Sequence, residues 1–166
     1  IMRTLIIGLL ILGLTTQVYA QKTEMFPAVH IVHNYKYLSE VNAAETAIPV
    51  EELHLKVSDF DVKKLDIYTD EYEYYNVHFI IPEGKILASY DKDSNLVRTI
   101  ERYKNVDLPL SVMESVAKRF PNWTISNTIY LVSYHDTGNL KKLYKLRLEN
   151  NDKHINVKVN EFGIFK

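Results

Sequence analysis

The chain has 166 residues, and its 20 basic and 21 acidic side chains leave a net charge of −1. This balance excludes a protein whose overall charge draws it to nucleic acid or to an anionic membrane. The chain contains no cysteine, which excludes disulfides, thiol nucleophiles and thiolate metal sites.

The first 20 residues have the pattern of a secretory signal peptide. Arg3 precedes an apolar run over residues 5–14, and Val18-Tyr19-Ala20 forms a cleavage site before Gln21. A membrane anchor is the alternative, but the run is shorter than the roughly 20 apolar residues that cross a bilayer. We therefore expect cleavage after residue 20 and a periplasmic or secreted protein that makes no membrane contact after cleavage.

Residues 21–47 have the least regular pattern and predict an N-terminal extended segment. The β-branched stretch at residues 28–33 predicts a short strand after Pro27, at a sheet edge or a strand start. Residues 42–47 predict a loop. An exposed strand edge would suit a third possible role, a structural subunit that assembles by strand pairing.

A helix is predicted from residue 48, and its pattern returns at an offset of 60, the difference between 108 and 48. Ile48-Pro49-Val50 aligns in this way with Leu108-Pro109-Leu110. The repeat predicts two tandem units, residues 48–106 and residues 107–166, each with one helix and the strands that follow it. The predicted apolar stripe of the first helix is Val50, Leu53, Val57 and Phe60.

The second helix is predicted over residues 108–120. Pro109 suits a first helical turn, Ser111 and Glu114 have the spacing of a capping box, and Pro121 ends the helix. Its predicted apolar stripe consists of Leu110, Met113, Val116, Ala117 and Phe120.

Three strand-like segments follow each helix, and a short extended piece ends each unit. The segments are residues 64–69, 73–81 and 85–90 in the first unit and residues 124–134, 141–149 and 154–159 in the second. The predicted fold class is α+β. Its architecture is two tandem helix-plus-antiparallel-sheet repeats, with the helices on one face of the sheet and the other face open.

The repeated unit carries a resemblance to a known family. It combines an Ile/Leu-Pro helix start, an Arg119-Phe120-Pro121 helix end and a tyrosine-rich meander with the turn Tyr90-Asp91-Lys92-Asp93-Ser94-Asn95. These features, over residues 48–166, resemble the PepSY-like family of secreted bacterial proteins, whose fold is similar to that of the β-lactamase inhibitory protein. The resemblance implies a periplasmic or secreted binding module. The inhibitory protein binds its partner on an open, aromatic-rich sheet face, but no single contact residue carries over.

The candidate metal sites have incomplete patterns. Asp91-Lys92-Asp93-Ser94-Asn95 begins like a calcium loop, but Leu96 occupies the glycine position and Arg102 the position of a bidentate glutamate. A β-turn between strands is the better account. His30 and His33 would point to opposite faces of a strand, and the other histidines are scattered. We expect no metal and no cofactor.

The sequence shows no catalytic constellation: it lacks a Gly-x-Ser-x-Gly elbow, a glycine-rich phosphate loop and a His-Glu-x-x-His motif. Similar chains carry the name nicotinate-nucleotide adenylyltransferase. That activity needs a His-x-Gly-His-type motif and a Rossmann-like alternation, and this sequence has neither. A small periplasmic enzyme stays open as the alternative if distant acid-base groups meet, for example His78 beside Asp66 or Glu73.

The predicted function is a non-enzymatic binding module that recognises a protein, peptide or small envelope ligand on its open sheet face. The acidic, tyrosine-rich stretch at residues 66–75 is either a surface for a basic partner or a sugar, or a solvated turn whose tyrosines help fill the core. No nucleic-acid partner is expected, and the sequence does not indicate an oligomeric state. Rigid aromatics mixed with cations are typical of recognition surfaces. The predicted binding residues are Tyr68, Tyr74, His78, Tyr130, Tyr134, Lys145, Arg147 and Lys158.

Overall fold

The computed structural model describes residues 34–41 and 48–166. The signal peptide predicted over residues 1–20, the strand at 28–33 and the loop at 42–47 lie outside the described residues. The helices are α1 (Tyr35–Val41), α2 (Ile48–Ser58) and α3 (Leu110–Arg119). The strands are β1 (Tyr74–Ile81), β2 (Gly84–Asp91), β3 (Leu96–Lys104), β4 (Thr124–His135), β5 (Lys141–Asn150) and β6 (Lys153–Asn160).

The six strands form one antiparallel sheet in the order β1-β2-β3-β4-β5-β6. Each strand pairs with the next strand along the chain, and α3 lies in the connection between β3 and β4. The predicted α+β class is confirmed, and the strands of both predicted units belong to a single sheet. None of the helices within the described residues has the length and hydropathy of a membrane span.

Burial alternates along the strands, as expected where side chains point to opposite faces of a sheet. In β5, Tyr144, Leu146 and Leu148 are buried, whereas Lys145 and Arg147 are exposed. Strand β1 alternates in the same way. We call the side that carries the buried residues the inner face and the opposite side the outer face.

Two helices before β1 contact the inner face of the sheet. The stripe predicted for α2 is buried at Val50, Leu53 and Val57 and half-buried at Phe60. Helix α1, which was not predicted within the extended segment, buries Tyr37 against the same core.

Residues 64–69, predicted as a strand, do not form one. The short 3₁₀ helix Val62–Lys64 occupies the start of this stretch, and the Asp61 carboxylate caps it by accepting a hydrogen bond of 3.0 Å from the Lys63 backbone N–H. The third strand of the first half is β3, which was predicted only as a short extended piece. Polar residues on both faces of β3 hide the alternation that identifies a strand.

Helix α3 buries only part of the predicted stripe, Val116 and, partly, Phe120, and adds Val112. Val112 and Val116 are buried, whereas Leu110 is 65% exposed and Met113 is 44% exposed, so the helix is rotated relative to the prediction. Ala117 is exposed as well.

The C-terminal segment explains this rotation of α3. A side chain on Gly163 would lie 2.6 Å from the Ser111 carbonyl oxygen and would also collide with Ser115, so the segment passes directly over the serine side of the helix. The Ser111 hydroxyl donates to the Glu161 carbonyl at 2.7 Å. Ser111 is therefore not part of the predicted capping box, and no side chain caps the start of α3.

Candidate functional site

The structure divides the predicted binding residues between the two faces of the sheet. Tyr74, His78, Lys145, Arg147 and Lys158 are exposed on the outer face, as predicted. The tyrosines at positions 68, 130 and 134 lie on the side of the inner face, so their predicted orientation toward the open face is wrong.

Tyr130 belongs to a stack of aromatic rings on the inner face. Its ring centroid lies 4.6 Å from that of Tyr144 and 6.0 Å from that of Tyr103, and burial raises its pKa well above the ordinary range. Both rows of β4 contain large apolar residues, because Ile129 and Leu131 alternate with the tyrosines. The larger aromatic rings bury more area and occupy the inner row.

Tyr134 and Tyr68 also contribute to packing. The Tyr134 ring meets that of Tyr37 edge to face at 5.1 Å, and burial raises the pKa of Tyr134 to about 12. Tyr68 stacks on the inner-face residue Tyr75 at 5.6 Å, and its hydroxyl donates to the Lys92 carbonyl at 3.2 Å. In the acidic, tyrosine-rich stretch, Tyr68 and Tyr75 thus take part in core packing.

The outer face is strongly cationic. Its register places basic side chains on four of the six strands, and its acidic residues are Asp91 and Glu149. The cations are Lys85, Arg98, Arg102, Lys104, Lys141, Lys145, Arg147 and Lys158. Among the described residues, only Arg147 of this set has a carboxylate partner, Glu149 at 2.9 Å.

Two pairs of like charges face each other directly on this surface. Lys145 on β5 is the register partner of Lys158 on β6, and Lys85 on β2 is that of Arg102 on β3. Like charges at directly opposed positions destabilise a sheet. The fold therefore keeps an electrostatic repulsion that its own carboxylates do not relieve within the described residues.

Aliphatic side chains cross the centre of the outer face between these cations. Leu87 on β2 is paired with Ile100 on β3, and Leu131 on β4 is paired with Leu143 on β5. Ile100 and Leu131 are diagonal neighbours, because Ile100 is paired with Ser133, two residues beyond Leu131. We call Leu87, Ile100, Leu131 and Leu143 the apolar band.

Several shallow grooves open on the outer face. One of them has a volume of about 400 Å³ and lies over β4, β5 and β6. Lys145, Arg147 and Lys158 line it together with Asn127 and Asn156. These groups are donors or cations suited to carboxylate or other anionic oxygens.

A buried carboxylate on the inner face is the second notable site. Glu101 on β3 is 1% exposed. Its Oε1 accepts hydrogen bonds from the Tyr37 hydroxyl at 2.9 Å and the Thr99 hydroxyl at 2.6 Å. Its Oε2 accepts a bond of 2.8 Å from the Tyr103 hydroxyl and lies 2.8 Å from His54 Nε2. We call these five residues the Glu101 cluster.

The Glu101 cluster favours the ionised carboxylate. Burial by itself would raise the pKa of Glu101, but the hydrogen bond and charge of His54, with hydrogen bonds from Thr99 and Tyr103, outweigh burial and lower this pKa. Burial and the nearby Glu101 charge raise the pKa of Tyr37 and keep this hydroxyl protonated as a donor. The cluster thereby joins α1, α2 and β3 through one charge.

A His–carboxylate pair is the usual apparatus of acid-base catalysis, but access decides its use. The His54 and Glu101 side chains are 1% and 0% exposed, so this pair has no access to solvent. A second pair is exposed: His135 Nδ1 lies 2.7 Å from Asp136 Oδ1 at the end of β4, and His135 lines a shallow groove with Arg98 and Ser133. The suggested pairing of His78 with Asp66 or Glu73 is not among the ion pairs of the described residues.

Lys142 is another buried charge that the sequence analysis did not single out. Its Nζ donates to the carbonyls of Val41 at 3.0 Å and Glu40 at 3.3 Å, at the C-terminal end of α1. Burial lowers the pKa of Lys142, partly offset by Glu161 and Glu101. A cation at this end of a helix satisfies its last carbonyls and so fixes α1 to β5.

The candidate calcium loop is a structural turn. The Asp91 Oδ1 atom accepts hydrogen bonds of 2.8 Å from the backbone N–H groups of both Asp93 and Asn95. Ser94, buried at the tip, donates to Asp61 at 2.7 Å. The oxygens that would have bound a metal therefore organise the turn and join it to the 3₁₀ helix.

The Glu101 cluster was missed because its members are far apart in the sequence. One signal was present in β3, where Thr99, Glu101 and Tyr103 occupy one row and Arg98 and Arg102 the other. An acidic residue flanked in its own row by two hydroxyl side chains is consistent with a buried, hydrogen-bonded carboxylate. No local pattern identifies Tyr37 and His54 as the remaining partners.

Comparisons with known proteins add no family assignment. No family model matches the chain, and no curated protein sequence matches it.

Proposed function

We propose that this chain is an exported, non-enzymatic binding module that recognises a protein, peptide or small envelope ligand on its outer face. In this proposal, residues 1–20 are removed and the protein acts in the periplasm or outside the cell. Residues 48–106 and 107–166 are two tandem repeats of the PepSY-like kind, with the helices on the inner face. The order of one helix and three strands, found twice, supports this arrangement.

The apolar band is the observation that carries the proposal. Leu131 and Leu143 are half-buried at the centre of a face whose surroundings are charged, and Ile100 beside them is 45% exposed. Binding interfaces commonly have this anatomy, with an apolar centre and a polar rim. Contiguous exposed apolar groups on a sheet otherwise favour aggregation, so a partner that covers them is the simpler account.

Site-specific photocrosslinking tests the proposal. A benzophenone amino acid replaces Leu143 in the apolar band and, in a matched variant, Met113, an exposed apolar residue on α3. Both variants are expressed as the whole chain in the source cells and irradiated. We expect a discrete adduct from position 143 that position 113 does not give. The same adducts at both positions, or no adduct at 143, would argue against a recognition surface.

The enzyme alternative has two His–carboxylate pairs to draw on within the described residues. His54 with Glu101 is enclosed in the core, and His135 with Asp136, 2.7 Å apart, lies exposed at the end of β4. Most of the charged groups on the outer face are lysines and arginines, which suit binding of an anion better than proton transfer near neutral pH. We therefore advance the binding module as the function of this chain.

A further inference from the structure

We propose that the partner of the outer face is an acidic polypeptide surface. Its carboxylates contact Lys104, Lys145 and Lys158, and its apolar side chains cover Leu131 and Leu143. This inference rests on the proposed function and deepens it by naming the chemistry of the ligand.

The three lysines lie in one row across the sheet. Lys104 on β3 is paired with Ile129 on β4, which is paired with Lys145 on β5, which is paired with Lys158 on β6. Neighbouring strands are about 4.8 Å apart, so the row spans roughly 15 Å. Carboxylates laid along this row would neutralise a repulsion that is built into the sheet.

The concentration of cations is a property of this face and not of the whole chain. The chain has 20 basic and 21 acidic residues. The described residues include 18 of these basic and 19 of these acidic side chains. When the eight cations and two carboxylates of the outer face are subtracted, 10 basic and 17 acidic residues remain elsewhere in the described part of the chain. The charge is therefore separated, with one cationic surface on a chain that is otherwise acidic. A surface of this kind steers an oppositely charged partner toward it.

The apolar band indicates a polypeptide and not a simple polyanion. Leu131 and Leu143 lie beside the lysine row. Leu131 is two residues from Ile129 along β4, and Leu143 is two residues from Lys145 along β5. A polymer that carries only negative charge leaves these side chains uncovered. An acidic protein surface offers both carboxylates and aliphatic side chains, and so matches both features of the face.

Two other anionic partners fit less well. Polysaccharide recognition commonly uses aromatic rings as stacking platforms, but of the predicted aromatic residues only Tyr74 remains on the outer face, at the edge strand β1. Membrane binding needs large apolar side chains that enter the lipid. Leu87, Leu131 and Leu143 are half-buried. Ile80 and Ile100 are exposed on this face, but basic side chains flank them: Lys85 is paired with Ile80, and Arg98 and Arg102 stand on either side of Ile100 in β3.

Fluorescence anisotropy with defined peptides tests the inference on the protein purified from cells that express the whole chain. The probe is a labelled peptide that mixes glutamate with leucine. Its comparators are an all-glutamate peptide of equal length and a lysine-leucine peptide. We expect the glutamate-leucine peptide to bind tightest and to weaken as salt rises. We also expect Lys145→Glu to weaken its binding roughly tenfold or more, because an attraction becomes a repulsion.

Two measurements separate lost binding from lost structure or altered net charge. Lys145→Glu should unfold at the same temperature as the wild type or higher, because the new carboxylate faces Lys158. Lys118→Glu, on the exposed side of α3, changes the net charge by the same amount and should leave peptide binding unchanged.

Several outcomes would overturn the inference. If the all-glutamate peptide bound as tightly as the glutamate-leucine peptide, negative charge alone would account for binding and the apolar band would have no part in it. Tighter binding of alginate or of phosphatidylglycerol vesicles would identify a polysaccharide or a lipid surface, and an unchanged affinity for Lys145→Glu would place binding elsewhere. If the peptides do not bind but position 143 still crosslinks a partner, the outer face binds a ligand that is not acidic. If both experiments fail, the proposed function fails as well.

Discussion

Glu101 keeps a charge in a position with almost no solvent contact. Isolated burial of a carboxylate is very unfavourable, so its stability depends on the four partners that surround it. Oε1 accepts hydrogen bonds from the hydroxyls of Tyr37 and Thr99. Oε2 accepts one from the Tyr103 hydroxyl and lies beside the His54 imidazole. Removing one side of a buried pair typically costs about 3–5 kcal/mol, because the remaining group stays buried without its partner. The cluster is therefore a point where α1, α2 and β3 depend on one another.

The pH dependence of stability should report this carboxylate. The folded pKa of Glu101 is lowered below the value near 4.3 of an unfolded glutamate. Its contribution is therefore complete above that value and is lost as the pH falls through the folded pKa. Glu101→Gln should be less stable than the wild type at neutral pH, and the difference should shrink as the pH falls below the pKa of an unfolded glutamate. Urea unfolding at several pH values measures this difference.

An exposed carboxylate provides the control for this experiment. Glu71→Gln removes a solvent-exposed acid for which no inner-face partner is found in the described residues. Its unfolding curve should follow that of the wild type at every pH. If the difference between Glu101→Gln and the wild type stayed constant with pH, the carboxylate would not be ionised in the folded protein.

The face and the partners of individual side chains were harder to predict from the sequence than the secondary structure. The exposed positions of Tyr74, Lys145 and Lys158 follow from alternation within strands whose two rows differ clearly in polarity. The predicted orientations of Tyr130 and Tyr134 were wrong because both rows of β4 contain apolar residues, and tyrosine is compatible with either face. The cluster around Glu101 was not predicted for a different reason, since the partners of this carboxylate come from three separate elements.

At the scale of the element, α3 shows how a neighbouring segment can rotate a helix. Its sequence contains two overlapping apolar stripes that share Val116, one that includes Val112 and another that includes Leu110 and Met113. Periodicity alone does not choose between them. The contact of Gly163 with the serine side of the helix settles the choice. The position of the helix was predicted well, but its orientation depended on a distant glycine.

Gly163→Ala should therefore destabilise the protein more than a matched change at Gly138. Both glycines have positive φ, 79° and 96°, so alanine at either position costs roughly 1–2 kcal/mol of backbone strain. A Cβ at Gly138 meets no atom within 4 Å, whereas one at Gly163 collides with α3. Overpacking should add about 1–3 kcal/mol at Gly163. Thermal unfolding of the two variants measures the difference, and equal losses would contradict the close contact.

At the scale of the whole molecule, the single sheet brings the cations of both halves onto one face. Lys85, Arg102 and Lys104 come from the first three strands, and Lys145 and Lys158 from the last two. The alternation in each strand predicted part of this surface. The joining of β3 to β4, which makes the surface continuous, required the structure. The family resemblance and the tandem repeat stay predictions.

Moderate salt should stabilise the unliganded protein. The screening length falls from about 30 Å at 0.01 M to about 10 Å at 0.1 M, which weakens the repulsion between Lys145 and Lys158 and between Lys85 and Arg102. The exposed ion pairs lose little, because such pairs contribute about 1 kcal/mol or less. We expect the midpoint of thermal unfolding to rise with sodium chloride, and to rise less in Lys145→Glu. A fall in the midpoint would show that attractions dominate the surface.

The order of the strands also has a consequence for how the chain reaches its folded state. Each strand pairs with its neighbour in sequence, so most of the sheet is assembled from hairpins whose closure involves short stretches of chain. Local contacts of this kind favour rapid folding. The pairing of β3 with β4 is the longest closure, because α3 lies between them. A helix advances only about 1.5 Å per residue, so formation of α3 shortens the distance that this closure has to span.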